Sequence, residues 1–147
     1  MRAALEIRLD DPAAVRGRRA LVVEDGPTLT HGGMAHGAGL IAARRAGAGE
    51  IIDPRACAAP EIMRVFAQYP HIGPVLPALG YSPQQLEALR LTIEAADAEV
   101  IVAATPVDLA SLLRLRAPVA RVRYEFRDLD TPGLAQIVDE FADRVVK

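Results

Sequence analysis

The segment ALVVEDGPTLTHGG, residues 20–33, decides the fold and most of the functional interpretation of this chain. Residues 20–24 are a short apolar run, which is typical of a strand buried on both faces of a parallel sheet. The Gly-Pro and Gly-Gly pairs that follow predict a loop over residues 25–33. The small residues at 34–46 then predict a helix. A strand, a loop and a helix in this order form the opening of a β-α-β unit.

The rest of the chain continues this alternation of short strands and helices. Further strands are predicted at residues 3–9, 50–53, 99–104 and 119–125. Helices are predicted at residues 60–69, 82–96, 108–115 and 131–145, with a Pro/Gly-rich loop at 70–81. The pattern indicates an α/β fold, a three-layer doubly wound, mostly parallel sheet of about four to five strands, Rossmann-like or flavodoxin-like. We expect residues 1–19 to form a strand or linker and residues 20–147 to form a single domain.

Composition excludes several classes of protein. The net charge is −2 and only 4% of the 147 residues are aromatic, which argues against a nucleic-acid partner. No apolar run is long enough for a membrane helix, so no membrane partner is expected. The single cysteine, Cys57, excludes an internal disulfide framework and favours a cytoplasmic location.

The lysine content limits the phosphate chemistry that this chain can perform. Its only lysine is the last residue, Lys147. A Walker A loop requires a lysine directly after its glycines, so the chain has no P-loop of its own. Any phosphate contact must therefore use arginine, backbone amides or a metal ion.

The loop after the first buried strand has the residues of an anion site. Gly32 and Gly33 allow a tight turn with exposed amides, and a following helix N-terminus favours negative charge. Thr28 and Thr30 offer hydroxyl donors, and His31 offers a donor or a proton near neutral pH. The other interpretation is ordinary turn chemistry with a helix cap.

Acidic residues precede this loop. Glu24 and Asp25 are candidate ligands for a hydrated Mg²⁺ that bridges ligand phosphates. Asp25 and His31 are the candidate catalytic residues.

Two more segments are expected beside this loop, because ligands of parallel sheets bind at the carboxyl ends of the strands. Residues 53–57 follow the second buried strand and include Arg55, a candidate phosphate ligand. Residues 104–108 follow the third and include Thr105. Surface exposure of Arg55 and helix capping by Asp108 are the alternative interpretations.

Two further hypotheses come from other motifs. Gly37-Ala38-Gly39 with Asp53 matches a relaxed dinucleotide fingerprint, although the glycines do not follow the strand directly. Residues 69–81 form a long, stiff, apolar loop, which favours contact with another subunit, a homo-oligomer or an interaction module.

Six motifs resemble those of one known family, the cyclic 2,3-diphosphoglycerate synthetases and their relatives described as predicted GTPases. The resemblance is to the C-terminal part of that family and extends from about Asp10 to Phe141. The motifs that carry it are residues 24–34, 37–39, 53–55, 69–81, 105–109 and 121–125.

The resemblance implies a phosphorylated-ligand-binding domain of an ATP- or GTP-dependent ligase or GTPase. Family members are about three times as long and carry a Rossmann-like region and a P-loop region. The synthetase uses ATP with Mg²⁺ and K⁺ to close 2,3-diphosphoglycerate into a cyclic anhydride. The resemblance therefore implies that this chain is incomplete for catalysis alone and depends on a P-loop partner domain or subunit for ATP or GTP.

Overall fold

The structure is a computed structural model that describes residues 2–145, and Lys147 lies outside this described part. Within it there are six strands: β1 (Ala3–Leu9), β2 (Arg19–Asp25), β3 (Glu50–Ile51), β4 (Leu76–Ala78), β5 (Val100–Ala104) and β6 (Val119–Asp128). The helices are α1 (Pro12–Val15), α2 (Gly26–Thr30), α3 (Ala38–Arg45), α4 (Pro60–Gln68), α5 (Pro83–Ala95), α6 (Leu109–Leu113) and α7 (Leu134–Val145).

The chain divides into two compact units. The main unit is Leu9–Arg123, and the terminal unit combines Met1–Arg8 with Tyr124–Lys147. The domain division expected from the sequence, with a strand or linker over residues 1–19 and a single domain over residues 20–147, stays a prediction.

The sheet has the order β1-β6-β5-β2-β3, and β4 also pairs with β2. Strand β2 is parallel to β3, β4 and β5, and β5 is parallel to β6. This confirms the predicted α/β class with a mostly parallel, Rossmann-like three-layer arrangement, although the described sheet has six strands instead of four to five.

The core is built on β2 and β5. Leu21, Val22 and Val23 in β2 are fully buried, as are Ile101 and Val102 in β5. Strands covered by helices on both faces read as continuous apolar runs, which is why these two strands were predictable from sequence.

The Gly-rich segment is more helical than predicted. Residues 26–30 form α2, which begins with Gly26 and Pro27 inside the predicted loop. Proline suits the first turn of a helix because its missing N–H is not needed there. The next helix, α3, begins at Ala38 instead of residue 34, so the actual loop is residues 31–37.

The Pro/Gly-rich segment at 69–81 is not a continuous loop, and that prediction was wrong. Ile72, Val75 and Leu76 are buried. Residues 76–78 form β4, which pairs with Val23–Asp25 of β2. The prediction failed because Pro77 occupies the middle of this short strand. Pairing with β2 is the only strand pairing that β4 makes in the described sheet, and a proline is tolerated in such an edge strand.

The other helices lie close to their predicted positions. Helix α4 ends before Pro70, and α5 begins with a capping box formed by Ser82 and Gln85. Asp108 caps α6 by accepting a hydrogen bond from the Ser111 amide. Helix α7 begins three residues after Thr131.

Candidate ligand-binding crevice

The strand connections create a switch point between β2 and β5. The chain leaves β2 towards β3 and β4 on one side, and it leaves β5 towards β6 on the other. Loops that diverge from two adjacent parallel strands open a crevice at their carboxyl ends, which is the usual ligand position in such sheets. We call this space, between the ends of β2 and β5, the crevice.

Two of the three expected segments meet at the crevice. Glu24 lies opposite Ala104 in the β2–β5 register, so Asp25 and Thr105 are neighbouring residues at this edge of the sheet. The segments 24–34 and 104–108 are therefore brought together as predicted.

The third expected segment, residues 53–57, is placed elsewhere. Strand β3 pairs with Arg19 and Ala20 at the beginning of β2, so it ends well before the crevice. Strand β4 takes the place beside the end of β2, with Ala78 opposite Asp25. The segment that follows β4, residues 79–81, is thus the third one at this edge.

Tyr81 is the residue at the crevice that sequence reasoning missed. Its hydroxyl lies 3.3 Å from the Thr105 hydroxyl. Since Tyr81 follows β4 on one side of β2, and Thr105 follows β5 on the other, the tyrosine side chain crosses the end of β2. A prediction of β4 as a strand would have identified Tyr81, because this residue lies just after the carboxyl end of β4.

Thr105 is the buried member of this pair. It is 4% exposed, and its hydroxyl also lies 3.4 Å from the Val107 amide, which donates to it. These contacts fix the orientation of the Thr105 side chain before any ligand arrives.

The Glu24 carboxyl group is buried and binds the start of α3. It is 2% exposed, and its carboxylate accepts a hydrogen bond from the Leu40 amide at 2.8 Å. Leu40 is in the first turn of α3, and the backbone amides of Gly37 and Gly39 also donate towards Glu24. The carboxyl group of Glu24 therefore occupies the helix N-terminus that was predicted to attract an external anion.

Burial has a strong effect on the ionisation of Glu24. Desolvation raises its pKa from 4.5 to about 7, while the hydrogen bond from Leu40 and the nearby His36 oppose this rise. Glu24 is consequently a carboxyl group that titrates near neutral pH.

The glycines of the apparent dinucleotide fingerprint serve this same contact. A Cβ at Gly39 would lie 2.5 Å from Glu24 Oε1 and 2.8 Å from Val22 Cγ1, and a Cβ at Gly37 would collide with Glu24 Oε2. These residues are small because the helix start packs directly on the Glu24 carboxylate.

Glu24 and Asp25 do not fit a resident Mg²⁺ site as a pair. The Glu24 carboxylate is buried and bound to the start of α3, whereas the Asp25 carboxylate lies 3.5 Å from the Thr28 hydroxyl. Among residues 2–145 no group of three or more His, Cys, Asp or Glu side chains is arranged to hold a metal ion.

Thr30 of α2 orients the His31 ring. The Thr30 hydroxyl donates to the Gly26 carbonyl at 3.2 Å, and it lies 3.0 Å from His31 Nδ1. Because Nδ1 is turned towards Thr30, Nε2 is the ring nitrogen that faces away from this contact.

The two predicted turn glycines lie directly after His31. Gly33 has a φ of +65°, a conformation that glycine adopts without strain. Gly32 donates its amide to the Pro27 carbonyl, and a Cβ there would lie 2.5 Å from the Thr28 carbonyl oxygen. Both glycines are exposed, so this turn faces solvent.

Residues 71–73 hold both sides of the Gly-rich turn. His71 Nε2 lies 2.8 Å from the Leu29 carbonyl, before the turn, and the Gly73 amide donates to the Ala35 carbonyl, after it, at 2.7 Å. The Gly-rich turn is therefore anchored at its two ends and open at its tip.

Arg55 supports these anchors. Its guanidinium donates to the carbonyls of Ile72 and Gly73, pairs with Asp53 and stacks on the Phe66 ring at 4.1 Å. These contacts use the guanidinium that was predicted to bind phosphate, so in this structure Arg55 supports the residues that anchor the Gly-rich turn.

Another arginine lies on the β6 side of the crevice. Arg121 pairs with Ala103 through the β5–β6 ladder, and its guanidinium donates to the Pro106 carbonyl at 3.5 Å. Hydrogen bonds from Ser111 are the main cause that lowers the pKa of Asp108, and Arg121 contributes to the same effect. The crevice thus has side chains of both charges.

No helix in the part of the chain that the structure describes has the length and apolar character needed to span a membrane.

Comparison with known proteins adds one similar sequence. The chain is 47% identical over 145 residues to arginine synthetase ArcE of Thermococcus kodakarensis. The match covers 99% of this chain and 32% of the relative, so the chain spans about a third of the length of the relative. No family model and no solved structure matches the chain. The similarity supports a ligase-related domain, and the relative carries the name of a different synthetase from the one implied by the sequence motifs.

Proposed function

We propose that this chain is the part of an arginine-synthetase-like enzyme that holds an anionic, phosphorylated substrate in the crevice. The observation that carries the proposal is the switch point between β2 and β5, which brings Asp25, Thr105 and Tyr81 together. The 47% identity to a protein named arginine synthetase supports the assignment to an enzyme of that kind.

The donors at the crevice suit the oxygens of a phosphate group. Tyr81 and Thr105 offer hydroxyls, Arg121 offers a guanidinium, and the open turn at Gly33 offers a backbone amide. A ligand anchored by several such donors gains charge-assisted hydrogen bonds, which are about twice as strong as neutral ones.

His31 is the candidate proton acceptor of the site. Its Nδ1 faces the Thr30 hydroxyl, so Nε2 is the ring nitrogen available to a substrate. Asp25 is the acidic group nearest to the end of β2, and its place at the crevice suits a positively charged part of the substrate, such as an amino group or a guanidinium.

ATP or GTP with Mg²⁺ is expected to bind mainly outside this chain. The chain has no P-loop lysine, and about two thirds of the relative lies outside the matched region. Mg²⁺ usually binds through substrate phosphates and one or two carboxylates, so Asp25 is the residue here that would contact such an ion.

Titration calorimetry tests the proposal directly. The ligands are ATP and GTP with Mg²⁺, inorganic phosphate, 2,3-diphosphoglycerate and arginine. Saturable binding of at least one phosphorylated ligand is expected, weakened about tenfold by His31→Gln or Thr105→Val, because each removes one hydrogen bond to a charged group. The control Arg64→Gln removes a charge from α4 and should leave the affinity unchanged. No saturable heat with any phosphorylated ligand would refute the proposal.

Cyclic 2,3-diphosphoglycerate synthesis is the second candidate function. It is favoured by the motifs at 24–34 and 105–109, which both lie at the crevice. In the same titration, binding of 2,3-diphosphoglycerate without binding of arginine would favour this candidate over the first.

A further inference from the structure

The terminal unit has an unusual distribution of apolar residues. It combines residues 1–8 and 124–147, and none of its described residues is buried. A unit of this size cannot be stable without a core, because fewer than about 40 residues bury too little surface on their own. Its apolar side chains therefore need a partner surface.

Helix α7 has one apolar face. Leu134, Ile137, Val138, Phe141 and Val145 recur with the spacing of a single helix face, and Phe141 and Val145 are each 66% exposed. The opposite face carries charges, including the ion pair between Glu140 and Arg144. A helix with this pattern is stable mainly when its apolar face is packed.

The strands of the terminal unit repeat this asymmetry. The amide of Leu129 donates to the carbonyl of Arg2, which sets Leu5 opposite Phe126 on the same face of the strand pair. Leu5 is 62% exposed and Phe126 is 53% exposed.

The other face of the strand pair is occupied by ion pairs. Arg8 contacts Glu125 at 2.7 Å, and Arg127 contacts Glu6 at 3.1 Å. Charged and apolar residues are thus separated on the strands as they are on α7.

The length of the relative indicates what covers these apolar residues. The matched region is 99% of this chain and 32% of arginine synthetase ArcE, so most of the relative is joined to this region at one end or the other. Both ends of this chain belong to the terminal unit. Whichever end carries the additional polypeptide, that polypeptide is connected at the terminal unit.

We propose that the apolar face of α7, together with Leu5 and Phe126, is the docking surface for the part of the synthetase that lies outside this chain. The inference rests on the proposed relation to a synthetase, and it is independent of the ligand assigned to the crevice. Its partner is a protein surface with apolar residues at its centre, while the charged face of α7 points away from that partner.

Hydrogen exchange, measured by mass spectrometry without any ligand, tests this docking. The samples are this chain and full-length arginine synthetase ArcE, compared over the helix that corresponds to α7. The helix is expected to exchange about tenfold or more slowly in the full-length protein, because packing of its apolar face suppresses local opening. Equal exchange rates in the two proteins would overturn the proposal.

The mass of this chain in solution shows whether a second copy of the chain covers the surface instead. Light scattering after size exclusion is expected to give a monomer with fast exchange in α7. A dimer with slow exchange in α7 would assign the surface to a second copy of the chain and overturn the proposal.

A pair of substitutions in the full-length protein gives the second readout. In these proteins, this chain replaces the matching third of arginine synthetase ArcE. One protein carries Phe141→Glu on the apolar face of α7, and the other carries Gln136→Glu on its polar face. Phe141→Glu is expected to restore fast exchange in α7, whereas Gln136→Glu should leave it slow. This experiment does not measure ligand binding. A negative result would therefore contradict the docking proposal only, and the crevice proposal is tested separately by calorimetry.

Discussion

Substitution of Glu24 by Gln is expected to change how the stability of this chain depends on pH. Glu24 is buried at the end of β2, where desolvation raises its pKa from 4.5 to about 7. Between pH 4.5 and about pH 7, the native state therefore keeps a proton on Glu24 that the unfolded state has lost. The stability that this proton contributes is fully present below pH 4.5 and is lost as the pH rises to about 7.

The size of the effect follows from the two pKa values. At about 1.4 kcal/mol per pKa unit, the difference between 4.5 and about 7 corresponds to about 3 kcal/mol. Gln cannot titrate, so the stability of the wild-type chain relative to Glu24→Gln should fall by about this amount between about pH 4 and pH 8. Other titrating groups are common to both proteins and cancel in the difference.

Urea unfolding at several pH values measures this difference. Glu87→Gln is the matched control, because Glu87 is an exposed glutamate whose pKa is lowered by its hydrogen bond with Arg90. Its difference from the wild type should be constant above pH 5 and change only in acid. A Glu24→Gln difference that is constant from about pH 4 to pH 8 would show that Glu24 does not titrate near neutrality.

Three further substitutions test the local contacts, each by urea unfolding at constant pH. Arg55→Met should lower the free energy of unfolding by about 2 kcal/mol, because it leaves two carbonyls without their donor. The control Arg64→Met should change the free energy of unfolding by less than about 0.5 kcal/mol. Equal effects of the two substitutions would contradict the supporting role of Arg55. Gly26→Ala should cost about 1–3 kcal/mol, because the added Cβ would lie 2.5 Å from the Ala78 carbonyl oxygen; an unchanged midpoint would show that this approach relaxes freely. Ser82→Ala should cost about 1 kcal/mol through loss of the α5 cap, and no loss would mean that the capping box is not needed.

Elements with strong local signals could be predicted from the sequence. The apolar runs of β2 and β5 identified the two central strands, and Ser82-Pro83 located the start of α5. These signals depend on residues that are adjacent in the chain, so they can be interpreted without knowledge of the fold.

The contacts that shape the crevice depend on residues far apart in the chain. Pro77 hid β4, whose identity as a strand follows only from its pairing with β2, and Tyr81 was missed for the same reason. Glu24 was expected to bind Mg²⁺, since no local pattern reveals that its partner is the amide of Leu40, sixteen residues later. Arg55 was expected at the crevice because it follows a predicted strand. The early end of β3 depends on the sheet register, which the sequence does not show.

Nuclear magnetic resonance mapping of ligand binding tests the central claim most directly, and a chain of 15.7 kDa is suitable for it. Amide shifts of the labelled chain would be followed during titration with ATP and Mg²⁺, 2,3-diphosphoglycerate and arginine. The proposal predicts that a phosphorylated ligand shifts amides in segments 25–34, 79–81 and 104–108 together, with residues 53–57 little affected. Shifts centred on residues 53–57, or no saturable shift at the crevice with any of these ligands, would contradict it.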